Sequence, residues 1–155
     1  MEPKTKVHAE AGKQEYLITR EFDLPVHLLF KAHVDPDIVA QVMGTKVLSF
    51  EAKKNGSYRF ETTDPQGKVI FQAAGVIHEL IPDKKIIRTF EMGNTPFGVQ
   101  LEIYDFEKLS DETSKLTMHV IYESVAQRDQ VLQIGLTWGI NMAHDRIQEI
   151  AGKLK

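Results

Sequence analysis

Six histidines, His8, His27, His33, His78, His119 and His144, are the first candidates for metal or acid–base chemistry, and they are scattered along the chain. None stands in a His-Glu-x-x-His or other tight ligand spacing, so no metal site is predicted. His119 falls on the polar phase of a strand and His78 beside Glu79 near a strand end, where hydrogen-bonded surface histidines are the ordinary outcome. The chain has no cysteine, which excludes a disulfide framework, a thiolate zinc site and a cysteine nucleophile. It also lacks a Gly-x-Ser-x-Gly elbow and a phosphate-cradling glycine loop. No catalytic residue and no cofactor is indicated. Arg128 and Arg146 lie five helical turns apart, on one edge of a C-terminal helix. With Glu79, Glu102 or Asp105 opposite, they could orient the polar end of a ligand; snorkelling or structural ion pairs are the alternative.

The elements that hold these side chains can be read from length and pattern. At 155 residues, the chain makes one unit able to bury about 70% of its unfolded surface. Nineteen Lys and Arg against 22 Asp and Glu leave a net charge of −3 with no basic run. That balance argues against sequence-independent nucleic-acid binding. No apolar run is long enough to span a bilayer and the first residues lack a signal-peptide core, so membrane insertion is not expected and a cytoplasmic location is. Residues 1–14 show no periodicity and read as a flexible leader to a single domain over 15–155.

In Glu15–Asp23, Tyr16, Ile18, Arg20 and Phe22 alternate with polar neighbours, as in a half-buried strand. Pro25 and the Asp35-Pro36 pair then start two short helices, and Gly44 stops the second. From Lys46 to Tyr122 the period is two. Strands are predicted near 46–52, 57–63, 68–80, 84–92, 98–109 and 113–122, with a bulge or bend at Ala73-Ala74-Gly75. The short breaks between them, at Asn55-Gly56, Asp64-Pro-Gln-Gly67, Pro82-Asp83, Gly93-Asn-Thr-Pro-Phe-Gly98 and Ser110-Asp111, favour antiparallel pairing. Val99, Leu101 and Ile103 read as the oily phase of one strand, and Leu116, Met118 and Val120 as that of the next.

Ser124 and Gln127 form a capping-box pattern, and no proline follows. A helix over 124–154 would be about 46 Å long, against a domain diameter near ~40 Å. The sheet should therefore curl around it. Gly139 and Ala143 occupy the middle of its core arc, with Gly135 at the edge. Each interior glycine costs about 1 kcal/mol relative to alanine. Either the helix approaches the sheet backbone closely, or side-chain volume is left out to make an apolar pocket. In the second case the pocket is bounded by Leu136, Gly139 and Ala143 on the helix, and by Phe71, Phe90, Leu101, Met118 and Val120 on the strands. Roughly opposite that arc, Ile134 and the sole tryptophan, Trp138, stand one turn apart. They mark a homodimer or partner contact, with cover by the first helices as the rival reading.

The stretch Arg20-Glu-Phe-Asp-Leu-Pro-Val-His-Leu-Leu-Phe-Lys-Ala-His-Val-Asp-Pro-Asp37 resembles the N-terminal signature of the START-like helix-grip superfamily. More narrowly, it is similar to relatives of the C-terminal domain of the activator of the heat-shock protein 90 ATPase. Gly56-Ser-Tyr-Arg-Phe60, Asp64-Pro-Gln-Gly67, Gly75 through Glu79, Arg88-Thr-Phe-Glu91, Arg128-Asp129, and Gly139 with Asp145-Arg146-Ile147 extend the match over about 15–154. Val42-Met43-Gly44-Thr45 departs from it, since relatives usually carry tryptophans followed by Gly-Pro there. The resemblance implies an α+β helix-grip fold: about seven antiparallel strands curved around a long C-terminal helix, with two short helices after the first strand. It also implies an apolar cavity. Fold does not fix function. The expected function is binding of a small hydrophobic molecule; a chaperone-accessory or protein-interaction module is the alternative, and a polyketide-cyclase-like enzyme a third.

Overall fold

The alternation and breaker signals translate into twelve elements in the computed structural model, which describes residues 4–155. β1 (Lys6–His8) and β2 (Glu15–Phe22) precede two short helices, α1 (Val26–Val34) and α2 (Pro36–Met43). Six strands follow: β3 (Lys46–Phe50), β4 (Ser57–Thr63), β5 (Val69–Ile81), β6 (Lys85–Met92), β7 (Val99–Lys108) and β8 (Ser114–Ile121). The chain closes with α3 (Val125–Gln133) and α4 (Leu136–Gly152). All strands join one antiparallel sheet in the order β1-β2-β8-β7-β6-β5-β4-β3. The predicted turn residues do their expected work. Asn55, Asp83 and Asn94 adopt positive φ between strands, and the Asp35 side chain accepts from the Asp37 and Ile38 amides to cap α2. Among the described residues no helix is long and apolar enough to cross a membrane.

Four expectations change. The proposed leader lies partly outside the described residues, but Lys6–His8 within it pair with Leu17–Thr19 as an edge strand. Thr5 is buried and its Oγ1 lies 2.9 Å from His144 Nδ1. Such a strand is held by backbone pairing around one apolar residue, Val7, too little for alternation to register. In β5 the irregularities flank the Ala-Ala-Gly run, with register shifts opposite Thr62/Thr63 and between Ile77 and Glu79. Gly75 instead makes room: Tyr58 is its cross-strand partner, and the phenol reaches over it to donate to the Thr89 carbonyl.

The third change is the phase of β7. Val99 is exposed and Leu101 and Ile103 are only half-buried, whereas Glu102, Tyr104 and Phe106 are buried. The register pairs these three with Val120, Met118 and Leu116, so they share the concave face. Burying two aromatic rings outweighs burying smaller aliphatics, and the carboxylate that comes along is neutralised by Arg88, its cross-strand partner on β6.

The fourth concerns the long helix, which is interrupted. Ile134 ends α3, and Gly135 at φ +87° starts α4. A left-handed residue cannot continue a right-handed helix, and glycine alone adopts it without a Cβ penalty. Within α4, His144, Ile147 and Ala151 are buried, while Leu154, past the end of the helix at Gly152, is exposed. Arg20, buried on β2, ties this helix to the sheet through Asp145 at 2.7 Å.

Candidate functional site

The curl of the sheet leaves space beneath the helices. A cavity of about 370 Å³ lies between the concave face and helices α1, α2 and α4. Its sheet wall carries Ile18, Met118, Val120, Phe90 and Phe71; its helix wall carries Val39, Leu136, Ile140, Ala143 and Ile147. Gly139 lies at its rim: the residue is exposed, and a Cβ built there meets nothing within 4 Å. The glycine therefore borders open space rather than a close backbone approach. A second hollow, about 410 Å³, lies beside Gly44, Lys46, Glu61 and Thr62, with a mixed lining that lacks the aromatic side chains of the first.

One cluster of polar side chains interrupts the apolar wall. Arg88 Nε donates to Glu102 Oε1 at 2.7 Å, and Arg88 Nη2 to the Tyr104 hydroxyl at 2.7 Å. Tyr104 in turn donates to Glu102 Oε1 at 2.8 Å, and Gln100 Nε2 to Glu102 Oε2 at 2.6 Å. The guanidinium is sandwiched between the rings of Tyr58, 4.8 Å away, and Tyr104, 5.0 Å away. Burial works against its charge, but Tyr104, Tyr58 and Glu102 together hold it firmly protonated. Arg88, Glu102 and Tyr104 all line the cavity.

The other titratable groups of the wall are neutral. Burial pushes the hydroxyls of Tyr16 and Tyr104 well above their ordinary range, and that of Tyr122 to about 12. Tyr16 and Tyr122 hydrogen-bond each other at 3.0 Å. His33 donates from Nδ1 to the Leu29 carbonyl at 2.8 Å, and desolvation, aided by the Arg88 charge, lowers its pKa to about 4. His144 is lowered to about 3 by burial, with His33 and Arg20 acting in the same direction.

Of the residues singled out from sequence, Phe71, Phe90, Met118, Val120, Leu136, Gly139 and Ala143 converge on the cavity. Leu101 does not: the phase of β7 turns it to the other face. Arg128 and Arg146 are absent from the wall as well. Arg128 is buried and donates to the carbonyls of Glu10 and Glu15 and to Asp129, fastening the N-terminal segment. Arg146 donates to the Val42 carbonyl and ties α4 to α2. Their five-turn spacing assumed one unbroken helix, which the Gly135 break removes. Ile134 sits at the cavity's edge and is 60% exposed; Trp138 is 72% exposed and does not line it. Arg88 and Glu102 were missed as a pair. The signal was one arginine and one glutamate, each in an apolar strand, whose register makes them cross-strand neighbours. Among the described residues no group of acidic, histidine or cysteine side chains could hold a metal ion.

A curved antiparallel sheet, helices across its concave side and an apolar cavity between them define the helix-grip class. The chain belongs to the activator of Hsp90 ATPase homolog 1-like family, whose model matches residues 23–152. Similar solved structures include a protein from Mycobacterium smegmatis, 22% identical with a TM-score of 0.82, the match covering 94% of this chain and 95% of that one. A Rhodobacter sphaeroides protein is 18% identical, TM-score 0.83, with 96% and 99% covered. One from Arthrobacter aurescens, solved by NMR, is 16% identical, TM-score 0.83, with 96% and 91% covered. These likenesses show the fold alone. No curated protein sequence matches the chain.

Proposed function

We propose that this protein binds a small hydrophobic molecule in the cavity beneath α4. The observation that carries the reading is the apolar and aromatic space of about 370 Å³ that Gly139 borders. Engineered apolar cavities of about 150 Å³ stay dry and bind benzene, so this volume suits a guest of two or three rings. Burying about 200 Å² of such a guest supplies near 5 kcal/mol before association costs, enough for micromolar binding.

The test is Gly139→Leu. Gly139 borders the cavity and a Cβ there meets nothing within 4 Å, so the position has room for a side chain at the rim, and replacing an interior helix glycine gains up to about 1 kcal/mol. Binding of an environment-sensitive apolar dye should fall at least tenfold while the thermal midpoint holds or rises. A stably folded variant with unchanged dye affinity would overturn the reading.

A second reading, contact with another copy of the chain, is favoured by the exposure of Ile134 and Trp138 together at the α3–α4 junction. The family description adds a chaperone contact to be tested at the same face. Light scattering after size exclusion should report a larger mass for the native chain than for Trp138→Glu. Equal masses would remove the homodimer, and failure of the immobilised protein to retain purified Hsp90 would remove the chaperone contact.

A further inference from the structure

The polar cluster in the cavity wall bears on which guests the site can accept, a question that rests on the ligand-binding reading. With His33 and His144 neutral, Arg88 and Glu102 are the only charged side chains on the wall among the described residues. They pair with each other at 2.7 Å. Glu102 is well occupied on both oxygens: Oε1 accepts from Arg88 and Tyr104, and Oε2 from Gln100. Arg88 is only partly engaged. A guanidinium carries five N–H donors. One goes to Glu102 and one to Tyr104, and Nη1 has no hydrogen-bond partner among the described residues. Arg88 thus keeps unengaged donors, and it stands on a cavity wall whose net charge is zero.

We propose that the cavity selects uncharged hydrophobic molecules carrying a hydrogen-bond acceptor oxygen, such as a ketone or ester, and rejects the corresponding carboxylates. An acceptor oxygen near Arg88 receives a charge-assisted hydrogen bond without disturbing the Arg88–Glu102 pair. A carboxylate must give up its hydration for a cation that is already neutralised, and it lies close to the Glu102 charge. A plain hydrocarbon fills the space but leaves the donors of Arg88 unmet. An amine meets the like charge of Arg88 and a carboxylate already occupied by three donors.

Three probes of matched shape separate these cases: acetylnaphthalene, ethylnaphthalene and naphthoate, each competed against the apolar dye on the unmodified protein at neutral pH. The ketone should bind about tenfold tighter than either of the others, the worth of one hydrogen bond to a charged donor. In Arg88→Met/Glu102→Leu the preference for the ketone over the hydrocarbon should shrink to what the freed Tyr104 hydroxyl and Gln100 amide supply, with hydrocarbon affinity retained; an undiminished preference would overturn the role given to Arg88. Naphthoate binding as tightly as the ketone, or the three binding equally, overturns the selectivity while leaving the cavity a binding site. Failure of all three to displace the dye overturns the ligand-binding reading and the selectivity with it. The comparison on the native chain stands even if the double variant is unstable.

Discussion

Glu102→Leu should destabilise the fold by about 2–3 kcal/mol, because it strands the Arg88 guanidinium in a mostly buried site. The loss stays below the largest values for broken buried pairs for two reasons. Arg88 keeps 13% side-chain exposure, and the Tyr58 and Tyr104 rings still flank its charge. Arg88→Met alone should cost a similar amount, since it leaves the carboxylate buried without its cation. The double variant should be more stable than the sum of the two losses predicts, by about 2 kcal/mol. It should still fall short of the native chain, because the Tyr104 hydroxyl and the Gln100 amide lose their acceptor. Urea unfolding of the four proteins gives the coupling directly. Additive losses would mean that the two charges do not stabilise each other.

Acid should weaken the protein through His144 before most carboxylates titrate. Its folded pKa of about 3 lies below the unfolded value of about 6.5. Below pH 6.5 the unfolded chain therefore binds a proton that the native chain refuses, and stability falls as pH drops. The contribution is fully present above about 6.5 and is lost progressively toward about 3. At pH 5 the loss from this one ring is about 2 kcal/mol. The structural cause is plain. The ring is 2% exposed, lies edge-on to Phe22 with centroids 5.5 Å apart, and has Thr5 Oγ1 at Nδ1. Proton uptake must desolvate a new charge near Arg20 and His33. Chemical unfolding at pH 7 and pH 5 should show His144→Gln losing about 2 kcal/mol less between the two than the native chain. Identical pH slopes would show that His144 is not the buried neutral group described.

A ligand site of this kind is hard to see in sequence because volume left empty has no residue of its own. The glycines of the C-terminal segment carried the hint, yet the two nearest the cavity serve different ends. Gly135 supplies a left-handed break, and Gly139 borders open space at the cavity rim. Helical spacing cannot tell these apart, because it assumes the helix continues.

The local elements were written in the chain itself. Asp35-Pro36 and Gly44 bound α2, the Asn55, Asp83 and Asn94 turns punctuate the strands, and alternation in β8 put Leu116, Met118 and Val120 on one face. These signals are legible because they depend on backbone preferences and on neighbours a few residues away. The inward phase of β7, the edge strand at Lys6–His8, and the Arg88–Glu102 pair were decided only by tertiary structure. In β7 either phase offered apolar residues, and cross-strand register with β6 and β8 chose the one that buries Tyr104 and Phe106 and brings the two opposite charges together. Local pattern proposes both arrangements; the free energy of the assembled sheet selects between them.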